Sequence, residues 1–440
     1  MSSWTLAQVE ALSPDSASLK ASAKLTAAKW SNLGQVETAL WGECQGSGKT
    51  PYLTRIDLTG PAFKCSCPSR KFPCKHALAL FKLWVQDSPR FKASNPPAWL
   101  TEWLDSRASR KENTEKKATA LVDEVAQAKR VAAREEKVEA GLAELELWLH
   151  DLLRTGLMGL SSKPGRYLDD MAARLVDAQA PGLARLLKDL PALMMSGTDW
   201  TQDVLACLGN LQLIISAYRR QEDLPETVRA DLRRVLGWND NQKELQGNEG
   251  LADSWLVLAQ LSSQEDRLQV RRSWLWGKET GKVALILEFS FAGQTFQYPL
   301  VVGQKFEMEL VYFPSQYPLR AVPKELQMGG KIGFEEKRGL RLHPHFDACL
   351  AAYAEALAAN CWLEQFPLAI TKVAPLMHDG RLVLVDEQNK TLPLSPVFTE
   401  GWRLMALSGG EPCDLVAEWD GKTLLPLAIW QEQPVSLRGT

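Results

Sequence analysis

The sequence has no apolar run of the roughly 18 residues that a membrane span needs, and its N-terminus does not pass from basic to apolar as an export signal does. The expected compartment is therefore the cytoplasm. Net charge of one sign is also missing: 51 Lys and Arg stand against 53 Asp and Glu, a net charge of −2. A chain so close to neutral is not a polyanion binder as a whole, and any contact with nucleic acid must come from a local patch. No Ser-His-Asp, Cys-His or Gly-rich catalytic signature is found, so no enzyme is expected. No internal period is regular enough to name a repeat. The nearest approach to a phosphate loop is GECQGSGKT at 42–50. A Walker A motif would need glycine at 43, where Glu43 stands, and PYLTRIDL after it reads as a strand where the motif opens a helix. The stretch is read as a hairpin turn with Lys49 in solvent.

What is present begins with size. The 440 residues exceed one ordinary core, so two to four domains are expected. Hydrophobic content of 45% and charge of 24% are those of globular protein. Sixteen tryptophans supply large anchors for several cores or interfaces. Of the eight cysteines, Cys44, Cys207, Cys349, Cys361 and Cys413 are scattered. The other three crowd into CSCPSRKFPCKH at 65–76.

That stretch reads Cys65-x-Cys67-x6-Cys74-x-His76, a complete tetrahedral set for Zn²⁺. Cys65 and Cys67 close a strand, and Pro68 and Pro73 bracket a short loop. Cys74 and His76 enter the apolar helix HALALFKLWV. A closed set leaves no open coordination position, so a structural zinc is expected, not a hydrolytic one. Three thiols cannot pair off into disulfides, and nothing marks the chain as secreted.

The pattern C-x-C, spacer, C-x-H resembles the SWIM zinc finger, and the resemblance to the bacterial SWIM zinc-finger proteins covers about residues 35–90. It implies a β-β-α unit whose ligands are Cys65, Cys67, Cys74 and His76. It implies a DNA-binding or protein-interaction module, and partners among MoxR-type AAA+ ATPases and von Willebrand factor A proteins.

Along the chain, residues 4–12 and 14–31 look helical. Strands are expected at 35–44, 51–58 and 62–67, the last two joined by Thr59-Gly60. Trp99 and Trp103 share one helical face. Residues 107–137 mix Lys, Arg, Glu and Ala without Pro or Gly, as a solvated helical spacer does. Residues 141–270, including LADSWLVLAQL, are periodic at helical spacing, with Pro181-Gly182 and Pro225 as punctuation. From about 271 strands dominate: WLWGKETGKVALILEFSF, TFQYPLVV, FEMELVYFP, PLRAVP, and after a helix at about 345–360, RLVLVD, TLPLSPV, GWRLMALS, DLVAEWD and TLLPLAIW. Asp420-Gly421 marks a hairpin. The expected fold class is α+β and multidomain: a zinc-finger module over 1–105, a charged helical linker over 106–140, an α-helical domain over 141–270 and a β-rich domain with one or two helices over 271–440.

Two further patterns bear on function. His343-Pro344-His345 with Asp347 is compatible with a second metal in principle, but the block lies before a helix start, where Asp and Pro are common as caps, and capping is the expected reading. Around the finger, Lys64, Arg70, Lys71, Lys75, Lys82, Arg90 and Lys92 oppose Asp87 alone. Lys64, Arg70, Lys71, Phe72 and Lys75 are the candidate contact residues. They would meet phosphates and a stacked base, or an acidic groove on a protein. The reading is a zinc-binding adaptor for protein partners, with DNA binding as the alternative.

Overall fold

The computed structural model describes residues 4–14, 16–46, 48, 50–59, 62–69, 71–93, 95–107, 124–162, 166–195, 200–238, 242–265, 268–291, 296–333, 336, 339–340, 342–378, 381–430 and 433–437. The N-terminal module is a sheet of β1 (Trp30–Val36), β2 (Ala39–Cys44), β3 (Tyr52–Asp57), β4 (Ala62–Cys65) and β5 (Lys92–Ala93), in the order β4-β3-β2-β1-β5. The first four form an antiparallel meander, and β5 adds in parallel to β1. Strand β2 is buried almost throughout because both of its faces are covered. On one face Leu40 and Cys44 pack with Phe63, Leu80 and Phe81, the last two from α3 (Lys75–Gln86). Helices α1 (Leu6–Ala11) and α2 (Ser16–Ala23) pack in turn on α3. On the other face Ala39 and Trp41 meet Leu100, Trp99 and Trp103 of α4 (98–107). The pair of tryptophans at i and i+4 is thus the inner stripe of α4. Arg55 of β3 lies over both rings, 5.2 and 5.7 Å from their centroids.

Two local expectations change here. The helix expected over 14–31 ends at Ala23, and β1 already starts at Trp30, whose side chain is buried in the core. The single strand expected at 35–44 is a hairpin, with Val36 paired to Ala39 across Glu37 and Thr38. An apolar–polar alternation continues across so short a turn, which hides it.

After α4 the described chain resumes in α5 (Glu124–Thr155). Residues 108–123 of the expected linker lie outside the described residues. The second half of that linker runs without a break into α5, where Val138, Leu142, Leu145, Leu149 and Leu152 are all buried. They pack with α6 (Arg166–Asp177), α7 (Pro181–Met194) and α8 (Trp200–Arg219), and α9 (Glu226–Val235) adds Leu232. Pro181 opens α7 and Pro225 caps α9, where they cost no helical hydrogen bond. Gly182 is required: a Cβ there would stand 1.9 Å from the Val235 carbonyl oxygen.

Helix α10 (Gln242–Gln246) ends the helical region. Residues 251–265, expected helical, form strand β6 (Leu251–Glu265). Trp255 and Val257 face one core while Leu256, Leu258 and Leu261 face another. A strand buried on both faces reads as a continuous apolar run, which periodicity cannot tell from a buried helix. With β7 (Leu268–Gly277), β8 (Val283–Phe291), β9 (Gln304–Tyr312) and β10 (Arg320–Lys331) it closes a barrel in the order β10-β8-β7-β6-β9. The β8–β10 seam is parallel and the rest antiparallel. This is the connectivity of the five-stranded Greek-key barrel called the OB fold. Residues 296–302, expected as a strand, instead turn across the barrel, where Tyr298 and Leu300 join its core.

The remaining chain builds a sheet of β11 (Phe366–His378), β12 (Arg381–Val385), β13 (Cys413–Trp419), β14 (Leu424–Trp430) and β15 (Pro434–Ser436), in the order β12-β11-β13-β14-β15. Helix α11 (Phe346–Ala359) lies where expected. GWRLMALS, expected as a strand, is helix α12 (Gly401–Ser408); Leu404 anchors it and Gly409, at φ 65°, ends it. TLPLSPV forms only isolated bridges at Thr391 and Leu394. Asp420 accepts from the N–H groups of Lys422 and Thr423 and closes the β13–β14 turn as expected. This sheet packs on the outside of the barrel through Trp274, Trp276, Leu415, Ala417 and Trp430. Arg272 and Trp274 both reach Glu418 across the contact. Among the described residues no helix is long and apolar enough to cross a membrane.

Candidate metal centre

Strands β3 and β4 place Thr54 opposite Cys65. The chain stays pinned to β3 beyond the end of β4. Ser66 N–H donates to the Leu53 carbonyl at 3.1 Å, and Leu53 N–H donates to Ser66 Oγ at 2.9 Å. Cys65 and Cys67, two apart on an extended chain, therefore point to the same side. Residues 68–73 carry the chain across to α3. The Cys74 carbonyl accepts from Leu78 N–H at 3.0 Å and so begins that helix. Cys74 and His76 are buried at its first turn.

One donor atom from each of Cys65, Cys67, Cys74 and His76 lies within 4.8 Å of all the others. His76 Nδ1 is 3.7 Å from Cys65 Sγ and 4.0 Å from Cys74 Sγ. A zinc ion held tetrahedrally at the usual Zn–S distance of about 2.3 Å sets its sulfurs about 3.7 Å apart, so the donors already stand close to the required spacing. Three sulfurs and one imidazole are the borderline-soft donors that zinc prefers. Nδ1 is the nitrogen that faces the thiols. Among the described residues this is the one His/Cys/Asp/Glu group arranged to hold a metal.

The thiols are not equivalent. A hydrogen bond from Cys74, opposed by burial and joined by bonds from His76, Thr54 and the Cys67 backbone, holds Cys65 down to about 4. Cys74, which supplies that bond and is buried, is pushed far up. Burial, the largest influence on Cys67, raises it as well. Cys65 is thus the thiolate of the metal-free site, and the metal must displace the protons of the other two. Cys44 lies near enough to feel Cys65 and Cys67, but it is no part of the donor group; burial lifts it to about 11.

Two residues that the motif does not mark complete the site. Thr54 Oγ1 lies 3.4 Å from Cys65 Sγ, and the Tyr52 ring sits 4.8 Å from the His76 ring. Their only signal in the sequence is the β3–β4 hairpin, whose register sets Thr54 across from Cys65.

The candidate contact residues fall around this centre unevenly. Lys64, Lys71 and Lys75 are exposed, Phe72 is half-buried, and Arg70 lies outside the described residues. The wider basic cluster is partly neutralised by residues distant in sequence or next to it: Lys82 pairs with Glu10 at 2.6 Å and Arg90 with Asp87 at 2.8 Å. The second metal pattern is a cap. His345 Nδ1 accepts from Ala348 N–H at 3.2 Å at the start of α11, and the Asp386 carboxylate accepts from Phe346 N–H at 2.8 Å. The GECQGSGKT stretch joins strands β2 and β3, so Gly46 and Gly48 open no helix; Lys49 lies outside the described residues.

A closed Cys3His centre between a β-hairpin and a helix defines a structural zinc finger. Residues 64–84 match the SWIM zinc finger family model, and residues 133–236 match the model of the SWIM-associated four-helix bundle domain. The chain therefore carries a SWIM finger with one structural zinc and the helical bundle that accompanies such fingers, a zinc-binding module of the kind used in protein or DNA interactions. No curated protein and no solved structure matches the chain.

Proposed function

We propose that this protein is a non-catalytic cytoplasmic adaptor whose zinc-stabilised finger module binds a protein partner. The observation that carries the reading is the closed donor set: four protein ligands leave the metal no position for water or substrate. The metal then serves to lock β3, β4 and the first turn of α3 into one rigid surface. That surface offers Lys64, Lys71 and Lys75 to solvent, while the pairing of Lys82 and Arg90 keeps its positive field small. A small positive patch on a neutral chain suits an acidic protein surface better than a phosphate backbone. The partner class offered by the family resemblance is a MoxR-type AAA+ ATPase with its von Willebrand factor A proteins.

Nucleic-acid binding through the same three lysines is the second reading. Affinity capture on the full-length protein, with mass spectrometry before and after nuclease, tests both. Partners retained after nuclease and lost with Lys64→Glu/Lys75→Glu support the adaptor. Partners lost on nuclease treatment overturn it in favour of the second reading.

A further inference from the structure

The barrel seam between β8 and β10 is incomplete. Strands β8 and β10 run parallel, but their pairing stops at Arg320–Leu285 and Ala321–Ile286. Leu285 N–H donates to the Leu319 carbonyl at 2.7 Å, so the odd-numbered backbone groups of β8 face β10 and the even-numbered ones face β7. Continued in this register, the next donor to the Leu287 carbonyl would be the N–H of residue 323. Residue 323 is proline and has none. β10 stays paired to β9 throughout, with a register shift between Pro323 and Leu326, and makes no further pair with β8. The Leu287 carbonyl and the backbone groups of Phe289 face the side of β8 along which, past Ala321–Ile286, no strand pair with β10 continues.

The side chains of the same residues are exposed. Phe289 is 51% and Phe291 64% accessible, two phenyl rings at i and i+2 on the outer face of the barrel. The devices that usually blunt a free edge, lysine or proline on the strand itself, do not occur between 287 and 291. Glu288, which points inward, is neutralised by Arg271.

We propose that this edge of β8, residues Leu287–Phe291, takes an extended peptide segment of a partner protein as an added strand. The proposal shares with the adaptor reading only that the partner is a protein, and it uses a surface separate from the finger. The occupant follows from the edge: a row of backbone acceptors and donors continuing the ladder that β10 leaves is completed by another extended backbone. The side chains of that segment are apolar and uncharged. They meet Phe289 and Phe291, and the two arginines at hand, Arg271 and Arg272, are already paired with Glu288 and Glu418. The same pairing disfavours nucleic acid, which needs free cations. Most of the β7–β8 face that OB barrels use for oligonucleotides is covered by the C-terminal sheet through Trp274 and Trp276.

The test is residue-resolved hydrogen exchange on the full-length zinc-loaded protein. In the free protein the Phe289 amide should exchange much faster than those of Glu288 and Ser290, which face β7. The probe is a capped decapeptide of alternating valine and threonine at about 1 mM, the range of weak strand addition. It should slow the Phe289 amide on the order of tenfold. Phe289→Leu should keep the effect, and Phe289→Lys should abolish it while leaving the Ser290 amide as slow as before. A Phe289 amide already as slow as its neighbours, or no slowing by the probe, overturns the proposal. Neither result bears on capture through the finger, which Lys64→Glu/Lys75→Glu reads independently.

Discussion

Replacing Cys74 by serine removes one of four zinc ligands with almost no change in side-chain volume. Structural zinc contributes about 10–16 kcal/mol to small folded modules. A quarter of that is about 3 kcal/mol, or about two orders of magnitude in zinc affinity. Cys74 is 1% exposed, so the new hydroxyl is also buried, at a further cost of about 1–3 kcal/mol where it finds no partner. The damage should stay local. The finger core of Trp30, Leu40, Ile56, Phe63, Leu80 and Phe81 is separate from the bundle core of α5–α9, and Met328 is the residue it shares with the barrel. The expected result is loss of zinc to a mild chelator, with faster hydrogen exchange in β3, β4 and the first turn of α3, while exchange in α5–α8 is unchanged. Cys44→Ser serves as the control, since Cys44 is fully buried but outside the donor group, and zinc content there should remain at one per chain. Wild-type zinc affinity in Cys74→Ser, or simultaneous opening of the bundle, would refute the reasoning.

Zinc binding should release about two thiol protons near pH 7–8, because Cys67 and Cys74 are raised and still protonated there while Cys65 is already a thiolate. Affinity should accordingly rise with pH and fall as the raised thiols take up protons; calorimetry in buffers of different ionisation enthalpy gives the count, and three protons would contradict the assigned order. Arg55→Ala removes two ring contacts and the hydrogen bond to the Trp99 carbonyl. It should loosen α4 from the sheet at a cost of about 2 kcal/mol, read from tryptophan fluorescence during urea unfolding. Glu288→Ala leaves Arg271 buried without its carboxylate and should destabilise the barrel by about 3–5 kcal/mol, whereas replacing both residues with apolar ones of similar volume should cost little; exchange in β7 and β8 separates the two. DNA or RNA binding should be feeble at about 150 mM salt. If it is instead tight and salt-steep, Arg70 and Lys71 replaced together should flatten the slope by about two units, and the nucleic-acid reading takes precedence.

The zinc centre was legible in the sequence because its four ligands lie within twelve residues, where spacing alone sets what they can reach. The bundle was legible for a similar reason: each helix carries its own 3.6-residue stripe, and Pro181 and Pro225 stand at helix starts. What the sequence could not hold was anything that depends on a second face or a distant partner. Leu251–Glu265 is strand because two cores, one inside the barrel and one against the C-terminal sheet, bury both of its sides and erase its alternation. Trp30 belongs to a strand because Cys44 lies across from it. The basic cluster around the finger is smaller than its count of lysines and arginines because α1 folds back and brings Glu10 to Lys82. Thr54 and Tyr52 reach the zinc ligands only through the β3–β4 register and the packing of α3. The open edge of β8 has the same origin. Pro323 is an ordinary residue in the sequence, and its missing N–H bears on the β8–β10 pairing only once the barrel sets the two strands side by side.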